Sequence, residues 1–262
     1  MAAPDGRPVL WHISVSHYSE KARWALDHKQ VPHKRRAVSI PGLHIPASML
    51  LTGGASHTFP VLEIDGRAIG DSSEIIAALE ERHPERPLYP ADSEQRRRAL
   101  ELEEFFDEEL GPHIRLLAFH ELSKDPERFQ AVIARSTPGP VAALGSGAVT
   151  YARTYTNMRF GVRSEEAAEI ARDKVVAALD RLEAELGSNE YLAGDAFSVA
   201  DLTAAALFFP LVLPDEGPVP TDEPPPAGIA SFRAPLEERP GYRWVAETFR
   251  KHRRPAGLAV VA

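Results

Sequence analysis

The stretch Thr58–Leu79, TFPVLEIDGRAIGDSSEIIAAL, decides the fold. Pro60 leads into Val61, Leu62 and Ile64, an apolar run of strand length, and Asp65-Gly66 follows directly. Asp-Gly between two apolar runs is the strongest short-range hairpin signal, because both central positions of the tight turn need positive φ. The segment is therefore predicted to run strand, two-residue turn, strand. Ser72, Ile75, Ile76 and Leu79 then recur at i, i+3, i+4 and i+7, one face of a helix. Asp71, with Glu74 three residues on, has the pattern of an N-cap and its reciprocal partner. A helix start presents unpaired N–H groups and the positive end of the dipole, so it can hold a carboxylate. With Asp71 and Ser72 beside it, this helix start reads as a small-anion site.

The N-terminal segment supplies the other half. Residues 9–13 (VLWHI) read as a short buried strand, residues 14–19 (SVSHYS) as a polar loop, and residues 20–29 (EKARWALDHK) as a helix with Ala22, Ala25 and Leu26 on one face. Strand, serine-bearing loop and helix, followed by Phe59-Pro60, a hairpin and a capped helix, resembles the thioredoxin-like half of glutathione S-transferases. The run SHYSEKARWAL (residues 16–26) is similar to that family's loop and first helix, TFPVL to its cis-proline strand, and DSSEI to the acidic-Ser motif that grips the glutamyl end of glutathione. A fourth segment, YLAGDAFSVADLTAAAL (residues 191–207), resembles the family's buried-helix signature. Its physics is that of a capping box made by Ser198 and Asp201, with Phe197 and Leu202 as a hydrophobic staple, and it carries no chemistry.

The resemblance implies a thioredoxin-like α/β domain over residues 1–88 and an all-α domain over residues 92–262, joined near the proline-rich PERPLYP (residues 84–90). From Asp92 an apolar stripe of Ala99, Leu100, Leu102, Phe105, Phe106 and Leu110 predicts a helix, and its Glu101, Glu104, Asp107 and Glu108 read as a solvated face in preference to a metal or acid/base cluster. Residues 164–186 predict another long helix with Val175, Leu179, Leu182 and Leu186 on one seam. Residues 137–160, rich in Gly and aromatics, read as a loop over the active-site cleft. Nine prolines between Phe209 and Pro240 predict an extended, partly mobile segment (residues 210–240) before a final helix at residues 242–252.

Composition bounds the function. The chain has 262 residues, a net charge of −8 and no cysteine. The charge argues against nonspecific nucleic-acid binding. Lack of cysteine excludes disulfides, Cys-ligated zinc and a Cys nucleophile, and so the thiol-disulfide and dehalogenating branches of the family. No metal is expected. No apolar run is long enough to span a bilayer and the start, MAAPDGRP, lacks a signal-peptide core, so the expectation is a cytoplasmic protein without membrane contact.

By resemblance, the task is to make a thiolate of glutathione, the co-substrate, near neutral pH. A free thiol has a pKa of about 8.5, and lowering it by two units needs about 2.7 kcal/mol of preferential thiolate stabilisation. A hydroxyl donating to sulfur at a helix start supplies much of that. Counting back from Lys21 and Arg23 places Ser16 where serine-type relatives carry this donor. Ser19, read as the helix N-cap, Tyr18, read as a packing aromatic, and His12 and His17 as bases are its rivals, and Ser14 lies too close to the strand. The glutathione-binding set implied is Thr58, Phe59, Pro60, Asp71 and Ser72, with the Phe59 backbone pairing the cysteinyl unit and the Phe59-Pro60 bond cis. Thr58 departs from the Lys or Gln often found there, and His57 or Arg35 is the substitute for the glycyl carboxylate. The second substrate is a small hydrophobic electrophile in an apolar cleft between domains, with Phe119, Tyr151, Tyr155 and Phe160 as lining candidates. Thr52-Gly53-Gly54 resembles glutathione-dependent aryl-ether-cleaving relatives. The family implies a homodimer. Two other readings stay open: a non-catalytic binding or assembly module of the same fold, and an enzyme using a different low-molecular-weight thiol.

Overall fold

The hairpin forms where the sequence places it. In the computed structural model residues 6–38, 42, 44–136, 145–162, 164–219, 224–253 and 260–261 are described. The order begins β1 (Val9–His12), α1 (His17–His28), β2 (Lys34–Ala37), α2 (His44–Thr52), β3 (Val61–Ile64), β4 (Arg67–Gly70) and α3 (Ser72–Arg82). α4 (Ser93–Phe105) passes through a π-helical turn (Phe106–Leu110) into α5 (Gly111–Ser123), then come α6 (Pro126–Ser136), α7 (Gly145–Phe160), α8 (Glu165–Leu186) and α9 (Val199–Val212). α10 (Ala227–Arg233), a 3-10 turn (Ala234–Leu236), α11 (Pro240–His252) and a two-residue β5 (Val260–Val261) complete it.

Two compact units result, one holding β1 to α3 together with α6, α7 and β5, the other holding α4, α5 and α8 to α11. In the first, the strands lie in the order β4-β3-β1-β2-β5. β1 is parallel to β2 and antiparallel to β3, and β3 and β4 form the antiparallel hairpin. Asp65 and Gly66 both have positive φ, 50° and 74°, as a two-residue turn matched to strand twist demands. Leu10 faces Leu62 across the β1–β3 ladder, and both are fully buried with Trp24, Ile75, Ile76 and Leu79. Because β1 and β3 run in opposite directions, the end of β1 lies beside the start of β3. The Val61–Gly70 pairing brings the end of β4 to the same place, and the His12–Ala37 pairing brings the end of β2 there. Three of the four connections at that sheet end carry the candidate site.

In the second unit α9 is buried along nearly its whole length, and it packs against α4, α5 and α11. Small residues at Ala204, Ala205 and Ala206, all fully buried, permit this close approach. The expected capping box is present: Asp201 accepts from the Ser198 backbone N–H and hydroxyl, each at 2.8 Å, and Ser198 caps the third helical residue in return.

Three expectations need correction. α1 starts at His17, three residues earlier than the polarity of SVSHYS suggests, because Ser16 caps it. Residues 145–160 form a helix: Gly145 and Gly147 fall in its first turn, where glycine costs least, and residues 137–144 lie outside the described set. Residues 210–240 include helix where described, at 210–212, 227–236 and 240, instead of one extended run. Pro210 sits inside α9, Pro226 caps α10, Pro235 is in the first turn of the 3-10 helix, and Pro240 is the first residue of α11. Proline at a helix start removes an N–H that has no helical partner anyway, so Pro226, Pro235 and Pro240 begin helices. Residues 220–223 lie outside the described set.

Candidate functional site

β1 ends at His12 and the chain crosses to α1 over residues 13–16. Ser16 has extended backbone (φ −80°, ψ 128°), its N–H bonds the Ile13 carbonyl at 3.1 Å, and its Oγ accepts from the Ser19 N–H at 3.2 Å. A hydroxyl has two acceptor positions and one donor. Used as a cap it accepts, so its O–H remains a donor, and that donor meets no acceptor among the described residues. Ser16 is half-buried and open to a ligand at the positive end of α1. Ser19 is not the cap: it is fully buried and its Oγ accepts from the Ile13 N–H at 3.2 Å. Tyr18 packs its ring on His17 with centroids 4.4 Å apart, and His17 is buried.

Arg23 holds this loop from behind. Its guanidinium donates to the Ile13 and Ser14 carbonyls at 3.3 and 3.1 Å, contacts His12 Nδ1 at 2.8 Å, and pairs with the buried Glu20 at 2.7 Å. His12 is 8% exposed, and burial, reinforced by the positive charges of Arg23 and Arg35, lowers its pKa to about 3. It is therefore a neutral ring accepting from Arg23 through Nδ1, which rules it out as the base. In the sequence Lys21 and Arg23 served only as register marks; their burial within a helix face is what reveals their work.

At the start of β3 the Phe59-Pro60 bond is cis, as expected. Phe59 and Pro60 are buried while Thr58 is exposed, its carbonyl accepting from Ser48 Oγ at 2.8 Å. At the end of β4, Asp71 caps α3: its carboxylate accepts from the Ser73 N–H at 2.8 Å and the Glu74 N–H at 3.4 Å. Asp71 has φ 70°, a left-handed value that costs a non-glycine residue on the order of 1 kcal/mol and persists where the surroundings impose it. Ser72, 3% exposed, is the first helical residue, so its N–H is among those without a helical partner. The fully buried Lys21 donates to Ser73 Oγ at 2.7 Å, adding a cation to the positive end of α3. Of the residues considered for the glycyl carboxylate, Arg35 donates through Nη2 to both Asp27 carboxylate oxygens at 2.6 Å, and His57 is exposed. Gly53 and Gly54, with φ 63° and 90°, end α2, and the Gly54 N–H returns to the Met49 carbonyl at 2.7 Å; Thr52-Gly53-Gly54 is a helix terminus.

Thus Ser16, Phe59-Pro60 and Asp71-Ser72 stand on three connections at one end of one sheet. Of the cleft candidates, Tyr151 and Tyr155 are on α7 in this unit, Phe119 is on α5 in the other, and the Phe160 side chain lies outside the described set. The acidic face of α4 is solvated at Glu101 and Glu104, and Glu101 pairs with Arg97. Among the described residues no group of three or more His, Asp or Glu is placed to hold a metal ion, and no helix is long and apolar enough to cross a membrane.

Family models match both halves: that for the glutathione S-transferase N-terminal domain covers residues 10–87, and that for the C-terminal domain covers residues 143–226, together more than half the chain. The chain belongs to the glutathione S-transferase family. Maleylacetoacetate isomerase of Dictyostelium discoideum is 30% identical over 110 residues, 41% of this chain and 50% of that protein. The chain spans about half the length of the curated relatives it matches. Solved structures share the fold over nearly the full length. Beta-etherase LigF from Sphingobium sp. strain SYK-6 has a TM-score of 0.60 at 21% identity, covering 93% of this chain and 99% of its own. A glutathione S-transferase of Ceriporiopsis subvermispora in complex with glutathione has a TM-score of 0.62 at 16% identity, covering 93% and 95%. As a transferase-family N-terminal domain, the unit built on β1 to α3 carries both helix starts, α1 and α3, at the sheet end described above.

Proposed function

We propose that this protein is a serine-type glutathione transferase that ionises the glutathione thiol for attack on a small hydrophobic electrophile. The observation that carries the reading is Ser16: its hydroxyl caps α1 as an acceptor and keeps its O–H for another partner, at the sheet end that also holds the start of α3. Glutathione would lie with its glutamyl carboxylate on the Ser72 N–H and hydroxyl, near Lys21, and its cysteinyl unit along the Phe59 backbone. The sulfur then faces Ser16, whose O–H donates to the thiolate while the α1 dipole adds to the stabilisation. The thiolate forms a bond to carbon of the electrophile, and the leaving group departs with its electron pair. Nothing in this scheme uses a metal.

Arg23 supports the step by fixing the loop carbonyls, and the neutral His12 leaves the proton balance to the thiol and solvent. Ultraviolet titration of the bound thiolate tests the reading. In the wild type the thiol titrates about two units below its value in water; in Ser16→Ala it returns toward about 8.5 while glutathione still binds. A wild-type protein that binds glutathione without lowering the thiol pKa would make it a binding module of the same fold. No binding of glutathione, with binding of another low-molecular-weight thiol, would reassign the co-substrate.

A further inference from the structure

α7 places an aromatic edge beside the connection from β2 to α2, at the same sheet end as Ser16. The Tyr155 ring meets the His44 ring edge-on at 5.9 Å, and His44 in turn lies 6.5 Å from the Phe59 ring. Tyr151 stacks on Tyr155 at 6.4 Å with an interplanar angle of 26°, and is itself 50% exposed. The contact is built in: Gly42 has φ 85°, and a Cβ there would collide with the Tyr151 hydroxyl. A run of rings therefore leads from the residue whose backbone would hold the cysteinyl unit out to solvent at Tyr151.

Within that run one atom is unexplained. The Tyr155 hydroxyl is shielded from solvent and has no hydrogen-bond partner among the described residues. Loss of hydration raises the Tyr155 pKa above its usual value, an effect that Arg159 opposes and Tyr151 adds to, so the hydroxyl stays a donor. Buried donors are paired in nearly all folded proteins, and one left over at a ligand site is a place for a ligand acceptor.

We propose that Tyr155 selects the second substrate: an aromatic electrophile lies against the Tyr155 and Tyr151 rings and presents a hydrogen-bond acceptor to the Tyr155 hydroxyl. This deepens the glutathione reading and rests on it. Offset or edge-on ring contacts supply the affinity, and the hydroxyl supplies the discrimination between aromatic substrates with and without an acceptor.

The test is calorimetric binding of glutathione, S-benzylglutathione, and S-benzylglutathiones carrying a nitro group at the ortho, meta or para position. In the wild type at least one nitro isomer binds about five-fold more tightly than the unsubstituted conjugate. Tyr155→Phe, which removes only the hydroxyl, abolishes that gain and leaves glutathione and S-benzylglutathione unchanged. Tyr155→Ala weakens every aromatic conjugate and leaves glutathione unchanged. Equal binding of all conjugates by the wild type, or a nitro preference that survives in Tyr155→Phe, overturns the assignment while the glutathione reading stands. A wild type that binds neither glutathione nor any conjugate overturns both.

Discussion

Two helix starts in this chain carry an acid and a serine, and use them in opposite ways. At α9, Asp201 and Ser198 are 0% and 1% exposed, and the carboxylate takes hydrogen bonds from the Leu192 N–H, the Ser198 N–H and the Ser198 hydroxyl, each at 2.8 Å. At α3, Asp71 is exposed, its backbone is left-handed, and Ser72 next to it has an N–H with no helical partner. α1 resembles α3: Ser16 is half-buried and its O–H meets no described acceptor. Residue type is the same in both regions and the burial of the acid differs. A cap whose partners are all internal contributes stability, whereas a cap with hydrogen-bonding capacity left over can also bind.

The contrast can be broken at either end. The largest expected effect is at the closed cap: Asp201→Ala leaves two buried backbone N–H groups and the Ser198 hydroxyl without their acceptor, a loss of about 4 kcal/mol. Urea unfolding measures it, with the folded fraction still binding glutathione normally; a loss under about 1 kcal/mol would mean the cap is not closed. Next is Ser16→Ala, for which turnover falls about 100-fold, the equivalent of about 2.7 kcal/mol, with glutathione affinity kept. Unchanged turnover would remove Ser16 from the chemistry. Asp71→Ala should show the mixed character of an open cap: about 1 kcal/mol of stability and about ten-fold in glutathione affinity, read by unfolding and calorimetry on the same sample. Affinity unmoved while stability drops would reduce Asp71 to a cap alone.

The smallest effect is a pH slope of opposite sign in the two units. Burial pushes Asp201 up to about 6 from its ordinary 3.8, against its hydrogen bonds, so its contribution is complete below about pH 4 and is lost as pH rises through about 6. His12 is pushed down to about 3 from 6.5, so its contribution is complete above about pH 6.5 and is lost as pH falls toward 3, where the unfolded chain alone takes the proton. His12→Gln should flatten the acid side by about 1 kcal/mol between pH 7 and 5.5, and superimposable wild-type and variant curves would count against the buried neutral ring.

Local chemistry was legible wherever a short stretch decides its own conformation. The Asp65-Gly66 turn, the Asp71 cap, the Ser198/Asp201 box and the seam of α8 all appear where their residues say, because each rests on neighbours within a few positions. The reading failed where a residue has two compatible uses. Prolines at 226, 235 and 240 read as breakers and serve as helix beginners; Ser19 reads as the cap of α1, yet Ser16 takes that role while Ser19 accepts from the Ile13 N–H.

What the amino-acid order determined by itself is the two-half architecture and the helix starts, since strand alternation, turn residues and caps act over distances of a few residues. What the tertiary structure alone decided is which polar groups are shut in and which are left open. Arg23 behind the loop, Lys21 against Ser73 and Tyr155 against His44 join residues between nine and more than a hundred positions apart. Solvent exclusion depends on everything packed around a group, so no local pattern encodes it.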